Sequence, residues 1–420
     1  MARSLLARPV STTALLATAV IVTAVPAAAS PAPAAASPSP TPSATSTVPA
    51  LPEVTQTLDP ELSVGGPRLA QMNSVIVDTP AGVPAPPDVS DVAWVIADAD
   101  TGAIVAAKNP HAHLLPASTL KTLTAIHLLS RIAPTAVLTA TTKESNAEGT
   151  RVGMVAGGKY TAGQLFQALV MSSGNDAAYG LAELNGGIPR TVTELNGLAD
   201  ELGAHDTVVV DPSGLDAPGQ HSSAYDLALF GRAAAANPAY RTLATTKMAP
   251  FPSVASRTSR ARSTFVIGNH NRLLWNYPGT IGIKNGFTKA ANHTFIGAAT
   301  RGGKTYIVTE MYGTAGSWRS AASLLDWAFA HGSDATAVGR LVERGEVAQA
   351  PTARADRAQP SDQSEQSDGP AVAAALTTPT GEVRPSLLPL VGGAALLLLV
   401  LATRRGRFTR RRERPGRHRS

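Results

Sequence analysis

Two stretches that cannot build a core bracket the part of this chain that can. From residue 30 to about 51 the sequence is almost wholly Pro, Ala, Ser and Thr, and from 350 to 384 it is rich in Pro, Ser, Gln, Asp and Ala. Such compositions bury too little apolar surface to offset the entropy of ordering, so both are expected as extended tethers. Residues 30–87 are read as a disordered lead-in, with a possible short strand in 69–77, and 342–385 as a flexible linker. That leaves 88–341 of a 420-residue chain, one domain's length, for a folded core.

The two ends carry export and membrane signals. Arg3 and Arg8 precede an apolar run over 12–25, and Ala27-Ala28-Ala29 offers a small-residue cleavage site, so 1–29 is expected to be a signal peptide. There is no twin-arginine pair, which favours general secretion. Residues 386–403 are mostly apolar and uncharged; as a helix of about 18 residues they reach roughly 27 Å, enough for a bilayer core. Nine arginines and one acid, Glu413, follow in 404–420. The positive-inside rule places that tail in the cytoplasm and the domain outside. Pro379-Thr380-Gly381 only faintly echoes a sortase signal, so a permanent anchor is preferred. The tail holds +8 of a net charge of +6, leaving −2 elsewhere. The basic balance is thus a topology signal, and no nucleic-acid partner is expected. With no cysteine, there is no disulfide framework, thiolate zinc site or cysteine nucleophile. The histidines are scattered without metal-ligand spacing, so neither a metal nor a cofactor is expected.

Within 88–341, residues 92–97 are β-branched and aromatic and predict a strand. Asp100-Thr101-Gly102 is a turn and 103–107 the returning hairpin partner. Pro116 is placed to start a helix that runs on through the apolar residues 123–129. Thr161 with Gln164 forms a capping box for a helix ending at Ser173-Gly174-Asn175, and Asp176 is expected to cap the next one, 177–184. Pro189 opens a further helix to about Leu202, and 224–236 is another. Strands are expected at 280–284, 294–300 and 306–311, the last two joined by Arg301-Gly302-Gly303-Lys304. A final helix covers 317–329. Strands at both ends with helices between them predict an α+β fold whose sheet is assembled from the two termini.

Three short motifs carry the chemistry. Ser118-Thr119-Leu120-Lys121 puts a hydroxyl and an amine on one helical face, the pairing of weak nucleophile and base that acyl transfer needs. Ser173-Gly174-Asn175 puts polar side chains between two helices, where they can point into a cleft. Lys284-Asn285-Gly286 supplies a cation and a glycine at a strand. Singly, each has a plain alternative: a solvated Ser and Lys, a helix cap, and an Asn-Gly hairpin turn. Trp94 and Trp327 are expected to be core residues, and Tyr160 and Tyr225 packing groups.

In order and spacing the three motifs together resemble the serine penicillin-recognising enzymes, and the domain resembles the D-alanyl-D-alanine carboxypeptidases among the low-molecular-mass penicillin-binding proteins. The likeness extends to 97–102, to Ser173-Gly174-Asn175-Asp176-Ala177-Ala178, and to Gly214-Leu215 with 223–228. It implies a β-lactamase/transpeptidase-like fold, a five-stranded antiparallel sheet flanked by helices plus a helical subdomain. The family's further C-terminal β-rich domain is expected to be absent. It implies that Ser118 attacks the carbonyl between two D-alanines, that Lys121 takes its proton, and that Ser173 and Asn175 relay and orient. The amides of Ser118 and Phe287 would form the oxyanion hole. Lys284 would bind the terminal carboxylate and Gly286 would let the substrate backbone approach. The expected partners are a peptidoglycan stem peptide ending in D-Ala-D-Ala and β-lactams as covalent inhibitors. Asn285 stands where the family has threonine; its amide can still donate, and Thr288 offers a hydroxyl nearby, so a retuned site is expected. The alternatives are a β-lactamase of the same fold, for which no loop offers the expected glutamate, and a non-catalytic wall-binding module.

Overall fold

A computed structural model of the chain describes residues 51–253, 263–315 and 318–346. The expected signal peptide (1–29), most of the linker, the membrane helix (386–403) and the basic tail lie outside the described residues. Among the described residues no helix is long and apolar enough to cross a membrane.

The strands are β1 (Val75–Val77), β2 (Asp91–Asp98), β3 (Ala103–Lys108), β4 (Val137–Thr139), β5 (Lys159–Thr161), β6 (Met248–Pro252), β7 (Thr264–Gly268), β8 (Thr280–Thr288), β9 (Asn292–Arg301), β10 (Lys304–Gly313) and β11 (Gly339–Arg340). The helices are α1 (Lys121–Leu129), α2 (Thr142–Ser145), α3 (Ala162–Met171), α4 (Asn175–Leu184), α5 (Ile188–Glu201), α6 (Ala224–Ala236), α7 (Pro238–Thr245), α8 (Leu273–Asn276) and α9 (Trp318–His331). The main sheet is antiparallel in the order β1-β3-β2-β10-β9-β8, with β11 also on β3. Its five long strands come from both ends of the domain, as the strand pattern predicts. β4 with β5 and β6 with β7 form two small hairpins apart from it.

Register decides which side chains meet the helices. Val95, Thr309, Ile296 and Lys284 are successive cross-strand partners on β2, β10, β9 and β8. Facing residues on antiparallel strands project from the same side, so this row shares a face. That face carries the larger core, with Leu120 and Leu123, Phe166 and Leu169, and Leu227 and Phe230. The next row, Trp94, Glu310, Phe295 and Asn285, projects from the other face, where Trp94 and Phe295 pack with Leu324, Leu325 and Trp327 of α9. Lys284 therefore points toward the helical layer and Asn285 away from it.

Side-chain caps start several of the helices. The Thr161–Gln164 capping box starts α3, and Ser223 accepts from Asp226 N to start α6. Asp176 departs from expectation. Gly174 is the residue preceding α4, and the Asp176 carboxylate instead accepts from the amides of Val152, Gly153 and Met154 at 2.9–3.0 Å.

The expectation of a disordered lead-in through residue 87 is corrected. Leu69 is fully buried, Ile76 is 2 % exposed, and β1 pairs with β3. β1 falls inside the 69–77 stretch where a short strand is expected, and Leu69 and Ile76 seat the segment by burial. The far boundary also moves outward: Leu341 and Val342 are buried, and Arg344 grips Glu201 at 2.8–2.9 Å.

Candidate active site

Ser118 lies in a 3-10 turn, Ala117–Leu120, that runs directly into α1. Pro116 precedes this turn and does not open it. Ala117 has φ of +47°, a left-handed backbone that L-residues rarely hold. Ser173, between α3 and α4, has φ of +60°. Such residues cost of order 1 kcal/mol each and persist where surrounding structure over-determines them. Here they flank or carry the two motif serines.

Lys121 is 1 % exposed and has three neighbours at hydrogen-bond distance: Ser118 Oγ at 2.8 Å, Asn175 Oδ1 at 2.7 Å and the Ser213 carbonyl at 2.6 Å. Burial pulls its pKa down to about 7, and the charges of Asp211 and Asp176 pull it partly back. Burial of an ammonium disfavours the charged form because it loses water. Lys121 donates to the carbonyls of Asn175 and Ser213, which only accept; an ammonium directs its third N–H at Ser118 Oγ, whereas the neutral amine turns its lone pair there and can accept the hydroxyl proton.

Lys284 enters from β8, also 1 % exposed, with Nζ 3.1 Å from Ser173 Oγ and donating to the Asn285 carbonyl at 2.7 Å. Burial first, and the Lys121 charge second, hold its pKa well below the usual lysine range. Asn175 Nδ2 donates to the Glu148 carbonyl at 2.6 Å, which locks the amide so that its oxygen faces Lys121.

Gly286 brings β8 against the nucleophile. A Cβ there would collide with Thr294 Oγ1 and come within 2.8 Å of the Ser118 amide nitrogen. β8 is the last strand of the sheet, so its outer edge pairs with no other strand of it. Phe287 is 55 % exposed and tilts over His293, ring centroids 4.8 Å apart. Thr288 donates to Asp216 at 2.9 Å and accepts from Ala291 N, so its hydroxyl is already engaged. The Asn285 side chain is half-buried and has no hydrogen-bond partner among the described residues.

The structure thus brings Ser118, Lys121, Ser173, Asn175 and Lys284 together from three distant segments. Gly286 lies against the nucleophile, Phe287 and Thr288 border the cleft, and Asn285 sits on the opposite sheet face. None of the three motifs includes Ser213, whose carbonyl reaches Lys121. Asp211-Pro212-Ser213-Gly214 carried a signal of it, since an Asp two residues before a buried serine is the pattern of a closed Asx turn. No group of three or more metal-ligating side chains occurs among the described residues.

An antiparallel sheet with helices on both faces, and a serine hydroxyl facing a dehydrated lysine amine at the sheet's edge, define a penicillin-binding, transpeptidase-like serine enzyme. The chain belongs to the D-alanyl-D-alanine carboxypeptidase family, which it matches over residues 81–314. It is 40% identical over 269 residues to the D-alanyl-D-alanine carboxypeptidase DacB2 of Mycobacterium tuberculosis, spanning 62% of this chain and 90% of that one. The DacD carboxypeptidase of Salmonella typhimurium is 30% identical, over 60% of this chain and 66% of its own. Among solved structures, a D-alanyl-D-alanine carboxypeptidase from Mycobacterium tuberculosis H37Rv superposes with a TM-score of 0.58 at 40% identity, covering 63% of this chain and 99% of that chain. The Streptomyces K15 DD-transpeptidase gives 0.56 at 28% identity, covering 59% and 100%.

Proposed function

We propose that this protein removes the terminal D-alanine from peptidoglycan stem peptides through an acyl-enzyme on Ser118. The observation that carries the reading is the place of the buried Lys121 amine, 2.8 Å from Ser118 Oγ and donating to the Asn175 and Ser213 carbonyls, so that its neutral form turns a lone pair toward the serine. Ser118 Oγ attacks the carbonyl carbon of the penultimate D-alanine, and its proton passes to Lys121. The amides of Ser118 and Phe287 hold the oxyanion, worth about 3 kcal/mol per donor in comparable sites. Lys121 returns the proton through Ser173 to the leaving nitrogen. The C–N bond breaks, free D-alanine departs, and the peptide remains as an ester on Ser118. Water, deprotonated by the same lysine, then hydrolyses the ester and restores the serine.

Lys284 receives the substrate's terminal carboxylate. Burial disfavours its charge in the empty site, and the incoming carboxylate supplies the counter-charge that restores it. A β-lactam meets the same attack, but its opened ring keeps the amine tethered, so acylation should outlast the assay. The sequence adds a location: export through 1–29, anchoring by 386–403, and the catalytic domain outside the membrane.

The test is release of D-alanine from a D-Ala-D-Ala peptide by the purified protein, beside labelling with a fluorescent penicillin. Both should vanish in Ser118→Ala. Release that persisted in the variant would sink the nucleophile assignment, and rapid turnover of the penicillin would favour a β-lactamase.

A further inference from the structure

The turn that delivers the Ser213 carbonyl to Lys121 is centred on the Asp211 side chain. Asp211 Oδ1 accepts from Ser213 N at 2.7 Å and from the Ser213 hydroxyl, and Oδ2 accepts from the Tyr179 hydroxyl at 2.8 Å. Gly214 N closes the turn on the Asp211 carbonyl at 3.1 Å, and Gln220 Oε1 accepts from Asp211 N at 2.8 Å. The result is an Asx turn that aims two successive carbonyls at one face of α1. Pro212 O accepts from the Thr124 hydroxyl at 2.7 Å, and Ser213 O from Lys121 at 2.6 Å. Gly214 follows with φ of +76°, and any Cβ there would overlap the Ala117 carbonyl. The turn is therefore pressed against the turn that carries Ser118. Ser213 is fully buried, so water cannot replace its carbonyl if it withdraws.

We propose that Asp211 is a positioning residue for acyl transfer: by holding the Ser213 carbonyl on Lys121, it fixes the direction of the lysine lone pair that receives the Ser118 proton. This rests on the reading of Lys121 as the base. Asp211 acts through Ser213, to which it donates no proton and from which it takes none. Asn175 Oδ1 alone leaves the amine free to turn about its Cε–Nζ bond, and the lone pair then leaves the hydroxyl. The carboxylate has a second effect through its charge. The charged groups facing Lys121 are Lys284 from β8, Asp176 from α4 and Asp211 from this turn. The two carboxylates favour the ammonium, and Lys284 favours the neutral amine whenever it carries its proton.

Two variants of the whole protein separate geometry from charge. Asp211→Asn keeps an acceptor for the Ser213 amide and removes the charge. Its acid limb of kcat/KM for D-alanine release should move down by about one pH unit, with the plateau near wild type. Asp211→Ala removes both, and kcat should fall about 10- to 100-fold with KM little changed. A merely structural role would lower the yield of folded protein and leave the acid limb in place. An unmoved limb in Asp211→Asn, or a wild-type kcat in Asp211→Ala, overturns the proposal. If Asp211→Ala does not fold, the limb of Asp211→Asn decides. Wild-type protein that took no penicillin on Ser118 would refute the reading of the site itself, a result distinct from either variant's.

Discussion

Lys121 and Lys284 are chemically alike and equally buried, yet their partners give them different work. Lys121 faces two acceptor carbonyls and a hydroxyl, whereas Lys284 faces one carbonyl and the Ser173 hydroxyl and lies beside the open cleft edge. A base must shed its proton near neutrality, and burial brings Lys121 to about 7. The wild-type kcat/KM profile should therefore rise with pH through an acid limb near 7, because only the neutral amine accepts the Ser118 proton. A flat profile down to pH 5 would refute this. Asn285 carries a milder prediction. Its amide is uncommitted, and it stands on the sheet's outer strand one residue from Lys284. Donation to the substrate carboxylate is worth roughly 1 kcal/mol, so Asn285→Ala should raise KM about fivefold and leave kcat unchanged. Asn285→Thr should restore most of the loss, and equal kinetics for all three residues would show that this side chain does not touch the substrate.

At the scale of elements, the site is a contact between the last strand of the sheet and the 3-10 turn ahead of α1. Gly286 makes that contact possible, since a methyl there meets the Ser118 amide and Thr294 Oγ1, both held by backbone or by the hydrogen bond from Thr294 to Pro116 O at 2.8 Å. Gly286→Ala must push β8 off the nucleophile, and a shift of about 1 Å is enough to cost roughly 100-fold in kcat. Acylation by fluorescent penicillin should slow in parallel while melting temperature changes little; an unaltered acylation rate would mean that the strand yields elsewhere. Much of this architecture was legible in the sequence. The capping box at Thr161, the β-branched run at 92–97 and the glycine pair at 302–303 each name their element through a local physical cause. Lys284-Asn285-Gly286 shows the limit, because Asn-Gly reads locally as a turn and becomes strand only through pairing with β9. The β6–β7 hairpin was illegible for a related reason: Pro250 and Pro252 argue against a strand, but both sit in a two-stranded hairpin where edges are open. The reach of Ser213 to Lys121 joins residues 92 apart, and no local pattern encodes such a distance.

For the molecule as a whole, the sheet's second face holds two acids that its stability must accommodate. Glu310 is fully buried between Trp94 and Phe295 in the cross-strand row, and neither of its carboxyl oxygens has a hydrogen-bond partner. Asp91, at the start of β2, leaves Oδ2 unpartnered as well. Burial raises the Asp91 pKa to about 7, against the pull of Lys108 and a hydrogen bond from Ser320. Burial, and then the charge of Asp91, hold Glu310 well above the usual carboxyl range. In the unfolded chain both acids ionise near their ordinary values of about 4. Between there and 7 the folded state binds more protons than the unfolded one, so stability falls as pH rises. Each carboxyl that stays protonated contributes a slope of about −1.4 kcal/mol per pH unit in that window. Asp91 stops contributing above about 7, where it ionises in the folded state too. Glu310→Gln cannot ionise and should remove its own share of the slope, leaving the variant increasingly more stable than wild type as pH climbs above the ordinary carboxyl range of about 4. Urea unfolding at several pH values measures this directly. Parallel stability curves for the two proteins would show that water or a rearranged side chain already satisfies Glu310 in solution.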